Sequence, residues 1–281
     1  MTTALTYLQF HLAFLVPAVL ALIATGFVSR SRIDATRAVG DHAAARTGYG
    51  RRYWTGVAVV TLVALVYTVP WDNYLIAVGV WGYGEGATLA TLGHAPVGEY
   101  LFILVQPWIT ALWLSHLSIP STWPAVDRPV ATRVAGVGLA AAIGIGGWVM
   151  LGTDATLYLG AIAAWAAPVL ALQWAVGAPQ LWARRRLVAL ATLVPTLYLC
   201  VVDRVAIALD IWILSERFTT GIEIAGLPVE EATFFLVTNL FVVQGLVLFR
   251  WVVDRWIDDG PTGAEPVGDG PTGDGPIDTA R

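Results

Sequence analysis

The residues of this sequence that could take part in catalysis are carboxylates in strongly apolar surroundings. Glu230 and Glu231 open an apolar run that contains no basic residue before Arg250. An ionisable group at the mouth of a membrane span is costly to desolvate, so its position often has a functional reason. Glu is also favoured in the first turn of a helix by the helix dipole. Taken alone, the pair fits a catalytic site and a helix start equally well.

Carboxylates recur at a similar spacing earlier in the chain. Asp72 stands 24 residues before Pro96, and Asp203 stands 25 residues before Pro228. Glu99 follows the first of these prolines as the glutamate pair follows the second. Carboxylates clustered at low dielectric cannot all be ionised, so one can act as an acid while another acts as a base. We therefore predict a catalytic set, without assigning acid and base, of Asp72, Glu99, Asp203, Glu230 and Glu231.

Aromatic and amide side chains accompany these carboxylates. Rings beside an acid can stabilise a carbocation by cation–π attraction, and amides can orient carboxylates. Belt or packing roles for the rings, and helix–helix hydrogen bonds for the amides, are the alternatives. The candidate substrate-binding residues are Trp71, Asn73, Trp81, Phe102, Trp212, Phe234, Phe235 and Asn239.

Other chemistries find little support in the sequence. The four histidines have no metal-ligand spacing, and Cys200 is the sole cysteine. The chain contains no lysine, which a retinal Schiff base requires. A loose dinucleotide fingerprint at 136–141 lies in an apolar run rather than in a βαβ unit. A net charge of -4 gives no basic footprint for nucleic acid. We expect no metal, no cofactor and no nucleic-acid partner.

Seven apolar runs organise the chain, and each approaches the length of about 20 residues that crosses a bilayer as a helix. They lie at 4–27, 52–70, 97–117, 133–151, 156–176, 187–207 and 229–249. The stretch 70–81 is too short to cross alone, and we expect a half-helix or re-entrant piece that continues from the second span. The sequence thus predicts an all-α integral membrane protein with seven transmembrane helices.

The arginines predict an orientation. Fourteen of the 16 basic residues, all of them arginine, follow spans 1, 3, 5 and 7. Positive charge favours the cytoplasmic side. We therefore expect the N-terminus outside and the C-terminus in the cytoplasm, in a multi-pass protein of the cell membrane.

The recurring spacings also indicate an internal repeat. Spans 1–3 match spans 5–7, and the extra crossing of span 4 gives both units the same direction, as in parallel repeats. The expected domains are a first three-span repeat at 1–118, a linker with span 4 at 119–153, a second repeat at 154–253, and a disordered acidic tail at 254–281.

Three motifs resemble the membrane-integral lycopene β-cyclases. They are Pro-Trp-Asp-Asn at 70–73 followed by Trp81, Pro-Val-Gly-Glu-Tyr-x-Phe at 96–102, and Pro-Val-Glu-Glu-x-x-Phe-Phe at 228–235 with Thr238-Asn239. The resemblance covers nearly all of 1–250 and is to the fused, archaeal form of the family. The first unit departs from the second, because Gly98 stands opposite Glu230.

The resemblance implies conversion of lycopene through γ-carotene to β-carotene, without net redox change. An acid protonates the terminal alkene at carbon 2, the carbon 5–6 double bond attacks the cation at carbon 1, and a base removes a proton from carbon 6. Lycopene, γ-carotene and the lipid bilayer are the implied partners, with possible association with other carotenoid-pathway enzymes. A proton-coupled transporter and another carotenoid-modifying enzyme, such as a hydratase or isomerase, are the alternatives.

Overall fold

The computed structural model of the protein describes residues 5–37, 50–117, 123, 126 and 128–258. This part of the chain holds seven helices that are long and apolar enough to cross a membrane. They are α1 (Tyr7–Arg37), α2 (Arg51–Val78), α3 (Val97–His116), α4 (Pro129–Met150), α5 (Leu157–Ala183), α6 (Arg185–Ala208) and α7 (Val229–Asp258). The prediction of an all-α membrane protein with seven spans is confirmed.

The end of α2 differs from the expected half-helix. The helix continues without a break through Pro70 to Val78. Gly79 then adopts a left-handed backbone conformation with φ of 86°, and its N–H bonds to the carbonyls of Leu75 and Ile76. Glycine takes this conformation without a Cβ penalty, which makes it a common helix terminator. Residues 70–78 are therefore the last turns of a single long helix.

Short strands join the helices at the end of the bundle where α2 and α6 stop. They are β1 (Trp81–Tyr83), β2 (Thr91–Leu92), β3 (Ala95–Pro96), β4 (Trp212–Leu214), β5 (Glu223–Ile224) and β6 (Leu227–Pro228). β2 pairs with β3, and β5 pairs with β6, as two small antiparallel hairpins that lead into α3 and α7. β1 and β4 pair with each other and so connect the two halves of the chain.

The contacts around β1 and β4 are reciprocal. The backbone N–H of Ser215 donates to the carbonyl of Val80 at 2.9 Å, and that of Gly84 donates to the carbonyl of Ile211 at 3.3 Å. Equal contacts in both directions are what an isologous, two-fold-like interface produces. This pattern agrees with a repeat whose second unit is offset by 131 residues at this point.

Helix α4 packs on α5 through small residues. A Cβ built on Gly147 would lie 2.5 Å from the backbone nitrogen of Ala164 and 2.9 Å from the carbonyl oxygen of Gly160. Such close approach of two backbones is typical of helix packing in membranes. The linker span expected within 119–153 is therefore held against the second half of the chain.

Helix α7 extends further than expected. It continues to Asp258, so the first residues of the segment predicted as a disordered tail from position 254 are helical. The remainder of that predicted tail, 259–281, lies outside the described residues. Val243, Leu246 and Val247 of α7 are almost fully buried, which makes this helix a central packing element of the bundle.

Candidate active site

The candidate carboxylates lie where helices begin and end. Asp72 is in the last two turns of α2, and Asp203 is in the last two turns of α6. Glu99 and Glu231 occupy the first turns of α3 and α7. A negative side chain in the first turn is favoured by the helix dipole. The two hairpins bring the starts of α3 and α7 to the same end of the bundle as the ends of α2 and α6.

A small space lies between these four carboxylates, and we call it the carboxylate cavity. Its volume is about 50 Å³. Side chains from both halves of the chain surround it. They are Tyr7, Trp71, Asp72, Trp81, Glu99, Phe102, Tyr158, Asp203, Trp212, Glu231, Phe234 and Phe235. The set contains acids and rings but no basic side chain among the described residues.

Tyrosine hydroxyls hold the two glutamates of the cavity. Tyr83 donates a hydrogen bond to Glu99 at 2.7 Å, and Tyr158 donates one to Glu231 at 2.9 Å. Tyr83 itself accepts a hydrogen bond of 3.2 Å from the indole N–H of Trp81. Each glutamate thus has an oxygen fixed by a phenol.

Tyr83 lies between two spans, in β1. Burial raises the pKa of its hydroxyl well above the usual range, and the nearby charge of Glu99 raises it further. The hydroxyl therefore stays protonated at neutral pH and remains a hydrogen-bond donor to Glu99.

The aspartates of the cavity are buried without such donors. Asp72 and Asp203 are 6% and 2% exposed. Within the described residues, no hydrogen bond of good geometry reaches either oxygen of Asp203 or the Oδ2 of Asp72, although the indole of Trp212 lies close to Asp203. An unsatisfied buried polar group costs about 1–3 kcal/mol, so its presence calls for an explanation. Proton exchange with a bound molecule would supply that explanation.

Aromatic rings form the wall between the acids. Trp71 and Phe234 lie nearly parallel, with centroids 5.8 Å apart and an interplanar angle of 7°. Trp81 packs against Tyr158 at 5.4 Å, and Phe102 meets Phe235 edge-on at 6.0 Å. Ring faces in a dry site attract positive charge. The cavity can therefore both transfer protons and stabilise a cation.

Three of the residues predicted for the site lie outside the lining of the carboxylate cavity. The side-chain oxygen of Asn73 accepts hydrogen bonds from the backbone N–H groups of His94 and Ala95, at 2.8 and 3.1 Å. In the other half, Glu230 accepts one from the backbone N–H of Thr220 at 2.7 Å. These two side chains hold the segments that lead into α3 and α7.

Asn239 is the third of these residues. Its amide accepts hydrogen bonds from Gln106 at 2.7 Å and from Thr110, and it donates one to Thr196 at 3.1 Å. All of these side chains are buried. The network links α3, α6 and α7, which is the helix–helix alternative considered for the amides.

The tyrosines of the site were not predicted from the sequence. Tyr7 and Tyr158 line the cavity, and both precede a proline by ten residues at the start of a predicted repeat unit. That equivalence is a signal that could have identified them. Tyr83 carries no such signal, because the residue that the predicted repeat makes equivalent to it is Leu214. In the part of the chain that the structure describes, no three His, Cys, Asp or Glu side chains converge as metal ligands.

Comparison with known proteins identifies the family. No protein-family model and no solved structure matches the chain. The chain is 50% identical over 247 residues to "Lycopene beta-cyclase" of Halobacterium salinarum, covering 86% of this chain and 97% of that protein. It is 34% identical over 203 residues to "Bifunctional lycopene cyclase/phytoene synthase" of Colletotrichum graminicola, covering 68% of this chain and 34% of that longer protein. A similar protein of Aspergillus oryzae is 30% identical over 206 residues, with 71% of this chain and 35% of that protein covered. Because half of the aligned residues are identical over nearly the whole length of the Halobacterium protein, the chain belongs to the lycopene β-cyclase family.

Proposed function

We propose that this protein is a lycopene β-cyclase that converts lycopene through γ-carotene to β-carotene. The observation that carries the proposal is the carboxylate cavity, in which acids from four helices face one aromatic space. The identity to the Halobacterium cyclase supports the same conclusion independently. The reaction rearranges bonds within one hydrocarbon, so the enzyme is an intramolecular lyase or isomerase.

The reaction needs one proton donor and one proton acceptor. A carboxylic acid gives its proton to carbon 2 of the acyclic end, which leaves a cation at carbon 1. The electrons of the carbon 5–6 double bond form the carbon 1–6 bond and move the cation to carbon 5. A carboxylate then removes the proton from carbon 6, and the carbon 5–6 double bond is restored. One proton enters and one leaves, so no oxidant, reductant or cofactor is consumed.

The acids of the carboxylate cavity suit these two roles. Glu99 and Glu231 each accept a hydrogen bond from a phenol, which favours a negatively charged oxygen. Asp203 has no such partner among the described residues, which favours the neutral acid in a dry site. We propose that the aspartates supply the proton and that the glutamates accept it. Glu230, which bonds to Thr220, is proposed to support its neighbour Glu231 rather than to touch the substrate.

The rings of the cavity would stabilise the cation between the two proton transfers. A desolvated ring contributes roughly 2 kcal/mol to binding a cation. A positioned acid and base supply about 10²- to 10⁴-fold in rate, so cation stabilisation and folding of the flexible end must supply the rest. Trp71, Trp81, Trp212, Phe102, Phe234 and Phe235 are the proposed contributors.

We propose further that two three-span repeats build this single site between them. Each repeat would contribute one Asp, one Glu and one Trp from β1 or β4. The proposed units, 1–118 and 154–253, would run parallel, with α4 as linker. The arginine distribution supports an N-terminus outside, a C-terminus in the cytoplasm and a location in the cell membrane.

Co-expression with the enzymes that make lycopene tests the function. Chromatography of the extracted pigments should show β-carotene, with γ-carotene as an earlier product. Hydrated or merely isomerised lycopene would instead indicate one of the alternative carotenoid enzymes. Unchanged lycopene beside intact membrane-inserted protein would refute the proposal.

A further inference from the structure

A second, larger space adjoins the carboxylate cavity, and we call it the lateral groove. Its volume is about 430 Å³, within the range of ligand-binding pockets. It has α2 and α5 as its walls and α3 and α7 as its floor. Val60, Val63, Ala64 and Tyr67 of α2 line it, and Leu172 of α5 and Phe241 of α7 face them.

The lateral groove and the carboxylate cavity share residues. Phe102 and Phe234 line both spaces, one from the first half of the chain and one from the second. Trp71 of the cavity stacks on Trp165 of the groove at 4.9 Å. The acids and the groove are thus in contact with the same rings, so a molecule in the groove could point one end at the acids.

An aromatic row continues from the cavity along the groove. Trp165 stacks on Tyr67 at 5.5 Å and packs against Phe241 at 5.4 Å. The hydroxyl of Tyr67 donates to the carbonyl of Trp165 at 2.8 Å, so the phenol is satisfied and adds no unpaired polar group. Flat rings in a row suit a flat, conjugated chain, because stacked π systems attract one another in offset arrangements.

The groove is open on the outer surface of the bundle. Val63 on one wall is 60% exposed, and Leu172 on the other is 66% exposed. Both lie in the middle of helices that are long and apolar enough to cross a membrane, so in a bilayer they would face lipid tails. From Val60 to Asp72 the path follows α2 for about 18 Å at the helical rise of 1.5 Å per residue. A hydrophobic chain can therefore enter from the bilayer without crossing water.

We propose that the lateral groove binds the linear polyene of the substrate while its acyclic end occupies the carboxylate cavity. The inference rests on the proposed function for the identity of the substrate. The carboxylate cavity, at about 50 Å³, is too small for the end group of the substrate. Phe102 and Phe234 must therefore move apart to admit that end group. The ring once formed leaves by the same lateral opening, and the other end of the molecule enters in a second binding event.

Matched substitutions on α2 test the groove. Val63 lines it, whereas Val66 lies one turn away, is 67% exposed and does not line it. Val63→Trp should raise the KM for lycopene about tenfold or more, because it fills the space that the polyene needs. A shortened acyclic hydrocarbon with the same end group should be cyclised by Val63→Trp as by the wild type, since its chain does not reach Val63. Val66→Trp should leave the KM for both substrates unchanged.

Ala64→Leu provides a milder block of the same space, in case the larger variant is lost from the membrane. Equal KM values for lycopene in Val63→Trp, Ala64→Leu and Val66→Trp would overturn the inference. So would a parallel loss of activity on the long and the short substrate, which would indicate damage to the carboxylate cavity.

Retention of lycopene by the purified protein separates this inference from the proposed function. Lycopene that co-elutes with the purified protein is measured by its visible absorbance. If Val63→Trp retains less lycopene than the wild type and Val66→Trp retains as much, the groove is supported even when no cyclisation occurs. Retention of phospholipid alone, with no lycopene, would overturn it in favour of a lipid-filled groove.

Discussion

Asp203 and Glu231 belong to different helices, α6 and α7, yet both line the carboxylate cavity. Asp203 is buried and, among the described residues, receives no hydrogen bond from a phenol, whereas Glu231 is bonded to Tyr158. Their contrasting surroundings are what a donor and an acceptor of protons require.

Isosteric amides at these two positions test the chemistry. Asp203→Asn and Glu231→Gln cannot exchange the proton, so each should lower the rate of ring formation by about 10²- to 10⁴-fold. The measurement is β-carotene formed from lycopene per amount of protein in isolated membranes. Glu223→Gln, at an exposed position in β5, is the matched control and should behave as the wild type. Normal β-carotene from both cavity variants would contradict the proposed site.

Glu230 is a neighbour of Glu231 in the sequence, but its side chain lies in different surroundings. It adjoins Glu231, but its side chain bonds to the backbone N–H of Thr220 and does not line the cavity. Glu230→Gln keeps an oxygen that can accept this hydrogen bond, so we expect most of the cyclase activity to remain. The same assay in membranes measures it. A loss as large as that of Glu231→Gln would return Glu230 to the catalytic set.

At the scale of the elements, first-turn glutamates of α3 and α7 meet the last turns of α2 and α6. Gly98 shows why the two starts are not identical. A Cβ at this position would lie 2.3 Å from the ring of Tyr7, so the residue opposite Glu230 has no room for a side chain. In the first half the ring of Tyr7 therefore packs directly against the backbone of Gly98.

The packing of α4 on α5 gives a test of element stability. Gly147→Ala places a methyl group 2.5 Å from the backbone of Ala164, whereas nothing lies within 4 Å of a Cβ at Gly146. Overpacking of this kind costs about 1–3 kcal/mol, and we expect a fall of several degrees in the Tm of the purified protein in detergent. Gly146→Ala should leave the Tm unchanged. Equal Tm values for the two variants would show that the contact contributes little.

At the scale of the whole molecule, the reciprocal pairing of β1 and β4 joins the two halves beside the carboxylate cavity. The positions of the acids depend on this junction, because α2 leads directly into β1 and α6 into β4. Two halves with corresponding strands can thus share one site.

The proposed orientation has a direct test. After replacement of Cys200 by Ala, single cysteines are introduced as Ala44→Cys and Glu216→Cys. The arginine distribution predicts that the first lies on the cytoplasmic side and the second outside. A membrane-impermeant thiol reagent applied to intact cells should label only the second. Labelling of both positions from the same side would refute the parallel arrangement.

The sequence by itself determined the seven spans, the carboxylates of both halves and the family motifs. Span length follows from the thickness of the bilayer, and helix starts follow from local Pro and Glu chemistry, so both are readable along the chain. Only the tertiary structure decided which polar side chains face a common space. Glu231 lines the cavity, while Glu230 and Asn73 bond to backbone segments. Tyr83 donates to Glu99, although the corresponding position in the second half of the sequence is not a tyrosine. The direction of a side chain depends on the rotation and packing of helices that are distant in sequence, which no local pattern records.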